Sequence, residues 1–269
     1  MKVLKMRALF VVILVLLAMS CSAFAAEDLN GKTLRLALNS TFVPFEFITP
    51  EGDFDGFDID IVNRLAEKLG FEMEISDMIF DGLIGSLVSG RADFVISGIS
   101  PTTERLKVVD ATISYFYPTI AIITQQGNNF PTPESLSGHK VGTSFGNTYE
   151  AQARAWPGVE VVALNTMTDV LQELLSSRID AAVMDGCQSA VFTKMYPDKL
   201  KFTLLPIELN IEDSFAILFP KNSPYREPMN AALTEMLKNG EIDTLIEKWF
   251  GADYLDNYRE EMKQAGLSY

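Results

Sequence analysis

The sequence has 269 residues and a formal net charge of −14 at pH 7, with 36 acidic and 22 basic side chains. Nucleic acid and anionic membrane surfaces are unfavourable partners for so acidic a chain, because both attract positive charge. The length is sufficient for two lobes with separate hydrophobic cores.

The first 25 residues are typical of a secretory signal peptide. Three basic side chains precede an apolar run over 8–19, and small residues follow as far as Ala25. The run is shorter than the roughly 20 residues that span a bilayer. We expect cleavage after Ala25 and export to the periplasm, with lipid attachment at Cys21 as the alternative. Cleavage would take the net charge from −14 to −17 and leave Cys187 as the single cysteine, so no intrachain disulfide is expected.

Short β-branched and apolar runs then alternate with segments of helical period. The predicted strands cover 33–38, 94–97, 120–124, 140–143, 159–164, 181–184 and 215–219. Apolar stripes with helical spacing occur over 59–69, 229–237 and 242–249. The third is expected to form the last helix of the chain and to end near Gly251. This alternation predicts α/β lobes with largely parallel sheets.

Two pairs of segments resemble each other within the chain. Residues 89–96 match 176–183, and the segment that begins at 29–31 matches the one that begins at 136–138. Two halves of similar plan are therefore expected. Ligands bind beyond the carboxyl ends of strands in open α/β sheets. Four candidate positions follow from this rule, namely 39–42, 97–100, 144–148 and Asp185.

The segment 97–105 carries the strongest local signal for an anion site. Ser100 followed by Pro101 predicts a helix that begins at Ser100. Its free N–H groups, the hydroxyl of Ser100 and close backbone approach at Gly98 suit an anion, and Arg105 adds a fork that matches a carboxylate. The alternative is an ordinary capped helix with a solvated arginine.

Three further residues are candidates on weaker grounds. Asp185 ends the repeated strand of the second half, at the position that corresponds to Gly98, and would pair with a ligand ammonium group. A helix N-cap is the alternative role for Asp185. Phe42 and Phe80 are flanked by polar or turn residues and suit the walls of a pocket, although each is also a plausible core residue.

Five stretches together resemble solute-binding protein family 3, the periplasmic receptors of polar amino-acid ABC importers: 39–46, 56–60, 97–105, 141–150 and 180–185. The resemblance implies the type II periplasmic binding protein fold, in which two α/β lobes joined by two crossover strands close over one amino acid. Lobe one would be 26–118 plus 212–269, and lobe two 119–211. It also implies a monomer without a cofactor or metal ion, which delivers its ligand to the membrane permease of an importer.

The resemblance assigns roles at the ligand's charged groups. Arg105 with Ser100 and Thr148 would bind the α-carboxylate. Asp185 with Ser100 and Gly98 would hold the α-amino group. These residues come from both halves, so closure would complete the site.

The resemblance also implies a pocket for the ligand side chain. Phe42 and Phe80 would sandwich that side chain, and Asn39 and Ser97 would contact its tip. Asn39 replaces an acid that is common among basic-amino-acid receptors, which leaves the ligand's identity open. A polar or basic amino acid is favoured.

Two other functions stay open from the sequence. A periplasmic dehydratase acting on prephenate-like or arogenate-like acids would use the same fold, with Asp185 or Glu46 as general acid. A receptor that reports an amino acid to a membrane signalling protein would use the same site. The motif at 142–146 matches a nucleophile elbow, but the one histidine, His139, precedes it, whereas that mechanism needs a histidine after the serine.

Overall fold

The computed structural model describes residues 28–205 and 213–267. The predicted signal peptide, the alternative lipid site at Cys21 and the predicted lobe boundary between 211 and 212 lie outside these residues. Within the two ranges, no helix is long and apolar enough to cross a membrane.

Strands and helices alternate along most of the chain. The strands are β1 (Thr33–Leu38), β2 (Thr41–Phe42), β3 (Glu46–Ile48), β4 (Phe54–Asp55), β5 (Glu72–Asp77), β6 (Phe94–Val95), β7 (Val109–Phe116), β8 (Ile120–Gln125), β9 (Lys140–Ser144), β10 (Glu160–Leu164), β11 (Ala181–Asp185), β12 (Leu200–Leu205) and β13 (Phe215–Pro220). The α-helices are α1 (Phe57–Leu69), α2 (Gly82–Val88), α3 (Thr148–Ala155), α4 (Met167–Leu175), α5 (Gly186–Met195), α6 (Arg226–Lys238), α7 (Glu241–Phe250) and α8 (Ala252–Gln264).

The strands form two five-stranded sheets of the same plan, with orders β5-β1-β6-β13-β7 and β10-β9-β11-β8-β12, and one small three-stranded sheet, β2-β3-β4. We call the first sheet with its helices the first lobe, and the second with its helices the second lobe. In each order, the first three strands are parallel to one another. The fourth strand pairs antiparallel with the third, and the fifth pairs antiparallel with the fourth. The sheets are therefore mixed, and the expectation of largely parallel sheets holds for only part of each.

The internal similarity read from the sequence corresponds to equivalent contacts. In the first lobe, Asp93 Oδ2 accepts a hydrogen bond of 2.8 Å from the backbone N–H of Arg35. In the second, Asp180 Oδ2 accepts one of 2.8 Å from the backbone N–H of Lys140. Each aspartate lies in the turn between a helix and the middle strand of its five-stranded sheet, β6 or β11. The prediction of two halves with one plan is confirmed.

The core of the first lobe is aromatic. The rings of Phe45 and Phe116 have centroids 5.3 Å apart, and Phe116 stacks on Tyr258 at 5.2 Å. Tyr258 belongs to α8, so the interpretation of α7 as the last helix was wrong. Helix α7 does end before Gly251, as expected. A further helix follows because the buried Leu255, Tyr258 and Met262 recur at helical spacing in a polar segment.

The chain crosses between the sheets where β7 ends at Phe116 and β8 begins at Ile120. Helix α8 supports this crossing, because the backbone N–H of Tyr117 donates to the hydroxyl of Tyr258 at 3.1 Å. The second crossing, between β12 and β13, falls mostly on residues 206–212, outside the described ranges. The exact lobe limits stay a prediction.

Candidate functional site

A cleft with an empty volume of about 460 Å³ lies between the two lobes. It is bounded by loops and helix starts at the carboxyl ends of the strands, as the general rule for open α/β sheets predicts. Its lining residues are Asn39, Phe42, Phe80, Gly98, Ser100, Arg105, Ser144, Asn147, Thr148, Tyr149, Met167, Gln188 and Phe215. Of the predicted site residues, Ser97 and Asp185 are the two that do not belong to this lining.

The segment before Arg105 differs from the prediction. No α-helix begins at Ser100; residues 101–104 form coil and turn, and Arg105–Lys107 make one 3-10 turn. Arg105 folds back instead, and its Nη1 donates to the carbonyl oxygen of Ser100 at 2.9 Å. The predicted anion site at free helix N–H groups was therefore wrong, whereas the arginine lies at the cleft.

Arg105 is a partly buried cation that forms no ion pair in the described part of the chain. Its Nη2 donates to the carbonyl oxygen of Gly146 at 2.9 Å, and its Cζ lies 5.5 Å from the centroid of the Phe80 ring. Burial lowers the pKa of Arg105 to about 10, against a smaller opposing effect of Asp81. The group is thus protonated at neutral pH, with N–H donors left for an anion.

Asp185 is the N-cap of α5. Its Oδ1 accepts from the backbone N–H groups of Cys187 at 2.6 Å and Gln188 at 3.1 Å. Its Oδ2 is buried and has no hydrogen-bond partner among the described residues. Burial raises the pKa of Asp185 to about 7. The capping role considered from the sequence is present, and one carboxyl oxygen is left over.

Two residues that line the cleft from the second lobe also have a buried polar atom without a partner. The Tyr149 hydroxyl and Gln188 Oε1 are buried without a hydrogen-bond partner in the described ranges, like Asp185 Oδ2. Burial and the charge of Asp185 raise the pKa of Tyr149 well above its usual value. A buried polar group left unsatisfied costs about 1–3 kcal/mol. This side of the cleft is therefore suited to a ligand that brings N–H donors.

Gln188 also connects the two lobes. Its Nε2 donates to the carbonyl oxygen of Thr41 in β2 at 3.2 Å. Together with the hydrogen bond from Arg105 to Gly146, this contact holds the cleft in a closed arrangement.

Asn39 belongs to the floor of the cleft on the first lobe, and Ser97 lies directly behind this floor. Ser97 Oγ accepts from the backbone N–H of Asn39 at 2.9 Å. The Asn39 side chain donates to Met78 O at 2.8 Å and accepts from Thr41 Oγ1 at 2.6 Å. Most of the amide's hydrogen-bonding capacity is thus used within the protein. Ser97 is fully buried behind the lining.

Gly98 is required by the packing of the floor. Its φ of 49° is in the left-handed region, and a Cβ at this position would lie 2.2 Å from an atom of the Phe42 ring. The glycine lets the ring lie directly against the backbone.

Four lining residues were not among the candidates from the sequence: Tyr149, Met167, Gln188 and Phe215. The first three lie in the first turn of the helix that follows a strand. Extending the strand-end rule by one helical turn would have found them. Ser144 and Asn147 lie in the candidate range 144–148.

The comparisons with known proteins agree with this geometry. The model of the family "Bacterial extracellular solute-binding proteins, family 3" matches residues 34–252. The L-cystine-binding protein TcyJ of Escherichia coli (strain K12) is 33% identical over 243 residues, which cover 87% of this chain and 91% of that protein.

Two solved structures are also similar. An ancestral arginine-binding protein bound to arginine has a TM-score of 0.77 and 38% identity, over 81% of this chain and 98% of the other. The ancestral amino acid-binding protein AncCDT-1, described as a precursor of cyclohexadienyl dehydratase, has a TM-score of 0.72 and 30% identity, over 81% and 95%.

Proposed function

This chain belongs to family 3 of the bacterial extracellular solute-binding proteins, and from that premise we propose that it is a receptor that closes over one amino acid. It delivers the ligand to the permease of an ABC importer. The observation that carries the proposal is the presence, on both sides of the cleft, of polar groups that lack a partner for an ion pair or a hydrogen bond. Arg105, on the first lobe, forms no ion pair among the described residues. On the second lobe, buried oxygens of Tyr149, Gln188 and Asp185 have no hydrogen-bond partner within the described residues.

We assign the α-carboxylate of the ligand to Arg105, on the first lobe. Arg105 has unused N–H donors in a planar fork, which matches the two oxygens of a carboxylate. The hydroxyls of Ser100 and Thr148 line the same cleft and serve as further donors.

The α-amino group is assigned to Asp185 with Ser100 and Gly98. The N–H of Gly98 is already used, since it donates to Asp58 at 2.7 Å. Gly98 therefore contributes its carbonyl oxygen as an acceptor. The spare Oδ2 of Asp185 would accept from the ammonium group, with small movements of the second lobe bringing the two together.

The ligand side chain is assigned to the space between Phe42 and Phe80, beside Asn39. The relatives named above bind arginine and cystine, so the family name alone does not choose the ligand. Among the lining residues, Arg105 is the one with a charged side chain. A polar or basic amino acid is favoured, and the lack of a carboxylate in that lining makes an uncharged polar side chain the better match.

The second candidate is a dehydratase, which the likeness to AncCDT-1 favours. Asp185, with a pKa of about 7, has the protonation properties of a general acid. Neither Asp185 nor Glu46, the two sequence candidates for such an acid, belongs to the lining of the cleft. We therefore propose a receptor and not an enzyme. A sensor for a membrane signalling protein would share the same binding step.

We infer the cellular location and the oligomeric state from membership of the family. We propose a periplasmic monomer, released by cleavage after Ala25, with a lipid anchor at Cys21 as the alternative.

A thermal-shift screen of the purified chain against the twenty amino acids and L-cystine tests the proposal. A ligand at 100 times its Kd stabilises a protein by about 2.7 kcal/mol, so binding raises Tm measurably. The screen is repeated with Arg105→Ala and with Arg64→Ala, whose arginine lies exposed on α1. The receptor assignment predicts a shift that Arg105→Ala loses and Arg64→Ala keeps. No shift with any amino acid, together with turnover of prephenate, would establish the dehydratase instead.

A further inference from the structure

Two buried carboxyl groups lie directly behind the floor of the cleft. Glu46, in β3, and Asp58, in α1, are both 0% exposed. Glu46 Oε1 accepts from the Ser97 hydroxyl at 2.6 Å. Asp58 Oδ2 accepts from the Gly98 N–H at 2.7 Å and from the Tyr115 hydroxyl at 2.9 Å.

These contacts connect the two carboxyl groups to residues that line the cleft. Ser97 Oγ, which donates to Glu46, accepts in turn from the backbone N–H of Asn39. Gly98, held by Asp58, carries the backbone against which Phe42 packs. The two carboxyl groups thus fix the backbone on both sides of the floor.

Each carboxyl group has one oxygen that no other residue satisfies. Glu46 Oε2 and Asp58 Oδ1 are buried and receive no hydrogen bond from elsewhere in the described chain. Within 28–205 and 213–267, no lysine or arginine forms an ion pair with either group. Asp58 lies next to Glu46 in the fold, because its backbone N–H donates to the carbonyl oxygen of Phe45 at 2.8 Å. Two ionised carboxylates would therefore be buried together without a counter-charge, which is strongly unfavourable.

One proton shared by the two carboxyl groups would leave a single buried negative charge in place of two. Burial, followed by the charge of Asp58, raises the pKa of Glu46 well above its usual value. Burial also raises the pKa of Asp58 to about 7, opposed by the hydrogen bonds from Gly98 and Tyr115 and by a contribution of Glu46. The other ionisable groups that act on the pair are Asp77, which disfavours charge on Glu46, and Tyr115, whose own pKa is raised well above its usual value.

We propose that Glu46 and Asp58 share one proton and act as a single positioning unit for the ligand-binding backbone at Asn39 and 97–100. Glu46 carries the proton and donates it toward Asp58. Asp58 keeps the negative charge that holds Gly98 and Tyr115. Loss of the proton sets two charges against each other, displaces the floor and weakens ligand binding.

Infrared difference spectroscopy of the ligand-free protein tests the proton directly. Glu46→Gln keeps an acceptor for Ser97 and places an amide donor toward Asp58, so it mimics the protonated glutamate. At about pH 7, near which ordinary carboxyl groups are ionised, the spectrum of the wild type minus that of Glu46→Gln should show a protonated carboxylic acid band. Glu51→Gln, at an exposed loop position, should give no such band. Absence of the band for Glu46→Gln would overturn the shared proton.

Nuclear magnetic resonance of the Gly98 amide tests the positioning. Its chemical shift in the wild type should move as alkaline pH removes the shared proton from Glu46, whose pKa burial raises well above its usual value. In Glu46→Gln the same movement should be absent, because the amide cannot ionise. Equal movement in both proteins would show that the pair does not position Gly98.

The binding arm rests on the proposed function and uses, by calorimetry, whichever of the twenty amino acids and L-cystine gives the largest thermal shift. The ratio of Kd at about pH 9 to Kd at about pH 7 should be several-fold larger for the wild type than for Glu46→Gln. Glu51→Gln should behave as the wild type does. Equal ratios in all three would contradict the role in binding. Failure of every amino acid in the screen to bind the wild type would count against the receptor and leave the infrared and resonance results to decide on the pair.

Discussion

Arg105 and Gly146 meet across the cleft, where Nη2 of the arginine donates a hydrogen bond of 2.9 Å to the carbonyl oxygen of the glycine. The arginine belongs to the first lobe and the glycine follows β9 of the second. Asp81, from the first lobe, also packs against Gly146, because a Cβ on this glycine would lie 2.7 Å from its Oδ1. Closure of the cleft thus requires glycine at position 146, because a side chain there would collide with Asp81.

Gly146→Ala should hinder closure and weaken ligand binding by at least about tenfold, because the new methyl group meets Asp81 only when the lobes are together. The matched control is Gly138→Ala. Both glycines have a φ of 81°, but a Cβ at Gly138 would meet nothing within 4 Å. Both variants should lose about 1 kcal/mol of stability from backbone strain. Equal ligand affinities in calorimetry for the two variants would show that Gly146 has no part in closure.

Asp185 should make ligand binding depend on pH. Its pKa is raised to about 7 in the free protein, and a bound ammonium group favours the ionised form. Below that pH, binding must release a proton, so affinity should increase as the pH rises toward about 7 and then level off. Asp185→Asn should flatten this part of the profile, whereas Asp198→Asn, an exposed control, should retain it. A proton release that persists in Asp185→Asn would assign the titration to another group.

The same residue should affect the stability of the ligand-free protein. Because the folded state holds the Asp185 proton up to a pH of about 7, while an unfolded aspartate releases it near pH 3.9, the free energy of unfolding contributed by this group falls as the pH rises between those values. Asp185→Asn should reduce that decline. Urea unfolding at several pH values measures it, and an unchanged slope would contradict the raised pKa.

Gln188 should contribute to ligand affinity through its unpartnered Oε1 and to closure through Nε2. Gln188→Met removes both polar functions at similar volume. We expect it to weaken binding by about 1–3 kcal/mol, the cost of a lost buried hydrogen bond. Gln264→Met, on the exposed face of α8, is the control. Calorimetry that gives the same affinity for both variants would remove Gln188 from the site.

The architecture was readable from the sequence where strands are buried. The predicted strand 33–38 coincides with β1, and the runs at 120–124 and 181–184 extend by one residue to become β8 and β11. Within the two large sheets, the strands that were missed, β5, β7 and β12, lie at sheet edges. An edge strand needs no continuous apolar run, because part of its surface meets solvent, so a search for apolar runs does not find it.

The site was readable only in part, for a different reason. Arg105, Phe42 and Phe80 follow strands or stand beside turns, and sequence order alone places such residues near the cleft. The proton-sharing role of Glu46 depends on Asp58 from another element, and that of Gln188 on an oxygen left without a donor. Neither relationship has a signature in local sequence, since each arises from side chains that meet in three dimensions.

Above all, we propose that Arg105 binds the carboxylate of an amino acid. Isothermal titration calorimetry of the wild type, Arg105→Ala and Arg64→Ala, with the amino acid that gives the largest thermal shift, tests it most directly. We predict that Arg105→Ala weakens binding by about 2–5 kcal/mol, because a desolvated carboxylate loses its charged partner, while Arg64→Ala binds as the wild type does. Near-equal affinities of the wild type and Arg105→Ala would contradict the claim.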